Sequence, residues 1–219
     1  MQVVNLFETP LIVAQLPNAP ALNAALKTAI LDRRAGDVGV RKSNWGGWQS
    51  DTQMIAWGGD PARRLAEQFL GLCNQITAPA PGTQPAFAWS VEMWANVSGP
   101  GSANEAHAHP GAVWSSVYYV ETGLDEGGEQ RGGNLALYDP RLPASRMLPF
   151  DLRYRRPDGQ IYQSLSAVHP VAGQILVFPP WLLHSVHPYH GDQERISIAM
   201  NANAVPRHSS EEYLARPER

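Results

Sequence analysis

The chain predicts a mainly β protein, a sandwich or jelly roll with flanking helices, and three observations carry that expectation. Two amphipathic helical patterns lie early in the chain. From about residue 86 onward, short apolar runs alternate with Pro- and Gly-rich turns. The 219 residues, 43% hydrophobic and 17% charged, suffice for one sizeable core and exclude a disordered chain.

The first helix is expected over 19–34, where Pro20 fits the opening turn and Leu22, Leu26 and Ile30 fall four apart. The second, over 60–76, has Asp60 as an N-cap, Pro61 at its first position and an apolar stripe of Leu65, Phe69, Leu72, Cys73 and Ile76. Between them, RKSNWGGWQSDTQ (41–53) reads as an irregular loop. Strands are expected at 86–97, 112–120, 134–138, 161–168, 175–178 and 195–201. Helices first and strands afterwards suggest helices packed on one sheet. One domain spanning 1–219 is expected, with a helical and loop part (1–85) preceding a jelly-roll core (86–205).

Composition narrows the function. A net charge of -3 with no basic stripe argues against nucleic acid. The single cysteine, Cys73, removes disulfides and CxxC-type zinc sites. No signal-peptide pattern opens the chain and no stretch is long enough to span a membrane. A cytoplasmic location is therefore expected.

Four segments carry candidate chemistry. In NEAHAHPG (104–111), His107 and His109 lie two apart and would project from one face of a strand toward a common point, as a metal pair or as a surface or hydrogen-bonded pair on a polar strand edge. In AGQILVFPPWLLHSVHP (172–188), an apolar run passes a Pro-Pro-Trp turn and presents His184 among Leu182, Leu183 and Val186. A histidine in such company needs a partner, either a core hydrogen bond or a metal. In RISIAMN (195–201), Arg195, Ser197, Ala199 and Asn201 share one face; Arg195 and Ser197 together suit a carboxylate, and a plain surface arginine is the alternative. In WSSVYYV (114–120), Ser115, Val117 and Tyr119 share a face and offer a hydroxyl and a phenol to the same acidic ligand.

In this order, with GGNLALYDP between them, these motifs resemble the Fe(II)/2-oxoglutarate-dependent oxygenases, and more closely the branch with N..H.HP and FP.WL.H motifs. The SN.GGWQS block of that branch is matched by Ser43, Asn44, Gly46, Gly47, Trp48, Gln49 and Ser50. The resemblance implies a double-stranded β-helix (jelly roll), Fe(II), 2-oxoglutarate as cosubstrate, O2, and oxidation, usually hydroxylation, of a second substrate with release of succinate and CO2. It implies His107 and His184 as metal ligands, with Arg195, Ser197 and Tyr119 holding the distal carboxylate of 2-oxoglutarate and Ser115 a further candidate on that face. His109 stands where most relatives carry a carboxylate. Three ways of completing the iron site stay open, in order: His109 itself, water, or Glu105. His169, His187 and His190 read as solvent-facing or substrate-side rather than as ligands, and the tail residue His208 as exposed.

A cupin-type metal protein that does not use 2-oxoglutarate is the alternative, although the glutamate expected after its His-x-His pair is missing. A zinc hydrolase and a non-enzymatic jelly-roll binding module are further alternatives. The substrate, a small molecule or a peptidyl side chain, is unspecified, as is the oligomeric state. Trp45, Trp48, Trp114 and Trp181 are candidates for an aromatic pocket or, for at least half of them, for the core.

Overall fold

Strict alternation along the final long strand organises the molecule. In a computed structural model, which describes residues 6–84, 86–123, 131–141 and 152–206, Ile196, Ile198 and Met200 are fully buried in one cluster with the helix residues Leu26, Ile30, Leu65 and Phe69. Arg195, Ser197, Ala199 and Asn201 face the other way, into a cavity between two sheets.

The elements run β1 (Ile12–Gln15), α1 (Ala19–Ala35), β2 (Asn44–Trp45), β3 (Trp48–Gln49), α2 (Met54–Trp57), α3 (Gly59–Ile76), β4 (Phe87–Ser98), β5 (Ala103–His107), β6 (Trp114–Glu121), β7 (Leu135–Tyr138), β8 (Leu165–Val168), β9 (Gln174–Phe178), β10 (His184–Val186) and β11 (Arg195–Pro206). They form a six-stranded sheet, β1-β9-β6-β11-β4-β3, and a five-stranded sheet, β2-β5-β10-β7-β8. Every ladder between them is antiparallel. This is the expected jelly roll.

The outer face of the larger sheet carries α1 and α3 over Met93, Val97, Ile175 and Val177. Full burial of each large apolar side chain there contributes about 1.5–3 kcal/mol. A smaller cluster of Tyr119, Leu135, Leu137, Leu176, Phe178 and Leu182 joins the two sheets. Among the described residues, no helix is long and apolar enough to cross a membrane.

Both early helices form where expected. Asp60, however, is not the cap of α3: the helix starts one residue sooner, and Asp60 sits in its first turn, paired with Arg63. Five short strands lie outside the expected set: β1, β5 and β10, and β2 and β3 within 41–53. Each is too brief, or too polar, for an alternation to register. His208 lies outside the described residues.

The stretch 41–53 is more ordered than expected of a loop. β2 pairs with β5 in the smaller sheet and β3 pairs with β4 in the larger one. The chain therefore crosses from the edge of one sheet to the edge of the other through Gly46-Gly47, both with positive φ (65° and 66°). A Cβ on Gly47 would lie 2.6 Å from the Val97 carbonyl oxygen, so the corner needs glycine there.

Candidate metal centre and anion clamp

The histidines come together through register and one loop contact. His184 opens β10 and stands opposite His107, the last residue of β5. His109 lies two residues beyond that strand, where its backbone N–H donates to the Pro180 carbonyl at 2.8 Å. The Pro-Pro-Trp turn thus fixes both His184 and His109.

Their rings are already turned. Nδ1–H of His107 donates to the Glu105 carbonyl (2.7 Å), and Nδ1–H of His184 donates to the Leu182 carbonyl (2.8 Å). A neutral imidazole bonded at Nδ1 keeps its Nε2 lone pair free for a metal. Nε2 of His109 and Nε2 of His184 are 3.3 Å apart, and ligand atoms of all three histidines lie within 4.8 Å of one another. Cis donors around a metal at about 2.1 Å stand about 3 Å apart, so the donor set fits a transition-metal ion.

Charge supports the same fit. Burial, reinforced by the neighbouring His107, pushes His109 down to about 4 and His184 to about 3. Both imidazoles are neutral at pH 7, as ligation requires. Trp94 packs on His109 (5.6 Å between centroids) and Phe178 on His184 (4.9 Å), walling the cluster with apolar rings. Glu105 is not part of it: its carboxylate accepts from the Trp45 indole N–H at 2.5 Å.

Arg195 occupies another part of the same cavity, whose volume is about 550 Å³. It is only 2% exposed, and no carboxylate pairs with it among the described residues. Its Nη1 donates to Ser197 Oγ at 3.3 Å and its guanidinium lies over the Tyr119 ring at 5.3 Å. Among the described residues, Arg195 Nε and the Tyr119 hydroxyl are buried without a hydrogen-bond partner. Burial pushes the pKa of Arg195 down and that of Tyr119 up from their ordinary values. A buried, unpaired guanidinium costs several kcal/mol, and a carboxylate would satisfy Nε and the phenol together. Gly133 makes room for it: a Cβ there would stand 3.1 Å from Arg195 Cδ, and its φ is +70°.

Ser115 is not brought to this clamp. The register sets it opposite Asn201, six residues along β11 from Arg195, and its hydroxyl donates to Asn201 Oδ1 at 2.8 Å. The tryptophans also sort differently from the expected pocket. Trp48 and Trp114 pack on the helical core, while Trp45 and Trp181 are exposed. The one that lines the cavity is Trp94, joined there by Gln49 and Asn96. Trp94 and Asn96 fall on the face of β4 opposite Phe87, Trp89, Val91 and Met93, the sole signal in the sequence that could have found them. His169 bonds to Asn134, outside the histidine cluster.

A jelly roll whose sheets enclose converging imidazoles and, among the described residues, a buried cation without a carboxylate partner suits a class: metal-centred enzymes that take an anionic cosubstrate. Residues 92–201 match the family model described as "Putative 2OG-Fe(II) oxygenase", and the chain belongs to that family. It is an Fe(II)- and 2-oxoglutarate-dependent oxygenase, with O2 as the oxidant, and the cupin alternative falls away.

Solved structures agree in fold. The chain is similar to a prolyl hydroxylase from Trichoplax adhaerens (TM-score 0.62, 12% identity, covering 94% of this chain and 87% of that one). It is also similar to a Pseudomonas putida prolyl-4-hydroxylase (0.56, 19%, 89% and 92%) and to HygX from Streptomyces hygroscopicus (0.58, 11%, 89% and 83%). A comparison with curated proteins gives no match.

Proposed function

We propose that His107, His109 and His184 hold the iron, that Arg195, Ser197 and Tyr119 hold the distal carboxylate of 2-oxoglutarate, and that the reaction is hydroxylation of a C–H bond. The observation that carries this reading is Arg195, a buried guanidinium with no carboxylate partner among the described residues, opening onto the same cavity as three converging imidazoles. Bound there, iron with 2-oxoglutarate supplies the O2-dependent oxidation that releases succinate and CO2.

The chain's own residues orient and exclude. Glu105 and Leu182 carbonyls fix the His107 and His184 tautomers. Arg195 donates from Nε and Tyr119 from its hydroxyl to one carboxylate, which sets the cosubstrate's direction along the cavity. Trp94 and Phe178 keep water from the imidazoles.

His107, His109 and His184 as neutral ligands would leave a bound iron one charge more positive than a site with one carboxylate ligand, which would favour an anionic chelator. His109 is preferred to water for the third position by its 3.3 Å approach to His184, and to Glu105 because that carboxylate is engaged by Trp45.

One domain, 1–219, suits a cavity whose lining is drawn from strands as early as β3. The lone buried Cys73 and the acidic balance suit a cytoplasmic enzyme. The Trichoplax hydroxylase is in complex with a peptide and a HygX structure has hygromycin B bound. A peptidyl group or a small molecule is accordingly the substrate class here. The test is succinate formation from 2-oxoglutarate by the purified chain with Fe(II) and O2, in wild type and Arg195→Met. Wild-type turnover that is lost in the variant is expected; equal turnover in both would overturn the clamp.

A further inference from the structure

We infer that Gln49 and Asn96 form a carboxamide-reading subsite, and that the second substrate presents a neutral amide, a peptide group or a primary carboxamide, to it. The inference rests on the clamp described above for one point: which half of the cavity floor the cosubstrate takes.

The floor is built in rows across the larger sheet. Register places Gln49 opposite Asn96, Asn96 opposite Ser197, and Ser197 opposite Tyr119. Ser197 and Tyr119 on β11 and β6 belong to the carboxylate clamp. Gln49 lies two strands from β11 and three from β6, about 10 and 14 Å away at the usual spacing. A short dicarboxylate held by Arg195 therefore leaves the β3–β4 half of the floor free.

In that half, Gln49 is 5% exposed, lines the cavity, and its side chain has no hydrogen-bond partner among the described residues. Asn96 is half-buried, lines the same cavity, and its amide is likewise unpartnered. Both carboxamides therefore turn free donors and acceptors toward the cavity, open to whatever enters it.

Gln49 is also held still. The Val40 N–H donates to its carbonyl at 2.8 Å, and the neighbouring Trp48 donates its indole N–H to the Asp37 carbonyl at 2.9 Å. On the other side, Ser50 Oγ accepts from the Ala95 N–H at 3.0 Å. Both carboxamides are thus presented from a fixed backbone.

Each carboxamide offers donors and an acceptor on separate atoms. A planar amide matches both senses at once. A carboxylate would leave the acceptors unmet, and an ammonium would leave the donors unmet. The charged lining residues Lys42, Glu92 and Glu105 are solvent-exposed, where screening weakens any claim on a ligand's charge.

The experiment is saturation-transfer NMR on the full chain with Zn(II) and 2-oxoglutarate, using N-acetylglycine N-methylamide and propionamide as probes. Propylamine, propionate and glycerol serve as matched competitors. Binding of an amide probe, about tenfold weaker in Gln49→Leu and in Asn96→Leu, is the expected result. Gln49→Glu, nearly isosteric, should turn the preference toward propylamine. If internal peptide groups are read, the N-methylamide binds better than propionamide; if terminal carboxamides are read, the order reverses, and either supports the subsite.

Equal binding of glycerol or the charged probes by the wild type would overturn the inference. So would amide binding unchanged in Gln49→Leu, or a fall in 2-oxoglutarate affinity in that variant, which would hand Gln49 to the cosubstrate. Absence of a 2-oxoglutarate signal beside intact, Gln49-dependent amide binding would sink the clamp while supporting the subsite.

Discussion

His107 and His184, 77 positions apart in the chain, stand directly opposite one another across the β5–β10 ladder, with ring centroids 4.4 Å apart. Each turns its Nδ1–H to a carbonyl two residues before itself. Two equivalent local bonds thus orient two rings on separate strands, and the strand pairing makes them meet.

His184→Ala should abolish stoichiometric metal binding, read by elemental analysis after dialysis against Fe(II) or Mn(II). The fold should persist, because the β10–β7 pairing is made by backbone. Full metal retention would remove His184 from the ligand set.

His109 is tested by two substitutions. His109→Ala should weaken metal affinity by more than the roughly 10–100-fold that losing an outer-shell partner costs. His109→Asp restores a ligand and should recover most of it, read by isothermal titration with Mn(II). Affinity untouched by His109→Ala would leave water in the third position.

Arg195→Met should have opposite effects on two measurements. Removing a buried unpaired guanidinium leaves the ligand-free melting temperature unchanged or higher. The 2-oxoglutarate dissociation constant should rise by about 30-fold or more, the effect of losing about 2 kcal/mol or more from a buried charged contact. Thermal melts with and without 2-oxoglutarate check both; a ligand-induced shift preserved in the variant would contradict the clamp.

Gly133→Ala should weaken 2-oxoglutarate binding without touching the metal. Its φ of +70° strains any L side chain, by about 1–2 kcal/mol, and its Cβ would press on Arg195 Cδ and Nε. Parallel titrations of metal and cosubstrate separate the two effects.

Cys73 is fully buried and burial pushes its thiol up to about 12. Because the folded-state value lies above the unfolded one, the stabilising contribution is complete below about pH 8.5 and is lost as pH rises toward 12. Alkylation at pH 8 should accordingly track unfolding in urea; rapid labelling of the native chain would show the α3 face opening locally.

Much of this was legible along the chain, and the reason is periodicity. Arg195, Ser197, Ala199 and Asn201 share a face in any strand, and the opposite residues, Ile196, Ile198 and Met200, are apolar enough to say which face meets the core. His107, His184, Arg195 and Tyr119 could be picked out because each is a polar group in an apolar or alternating run. Two-residue strands carry no period, so nothing in NWGGWQS announced that Gln49 would face inward while Trp48 packs on the helices.

Local pattern along the chain therefore sets the kind of face each strand presents and the chemistry available on it. Tertiary structure decided which faces meet, because antiparallel register is a long-range quantity that no local pattern encodes. Register carried Ser115 to Asn201, away from Arg195, and brought Asn96 beside Ser197. A contact outside the ladders, from the His109 N–H to the Pro180 carbonyl, turned a histidine beyond the end of its strand toward His184.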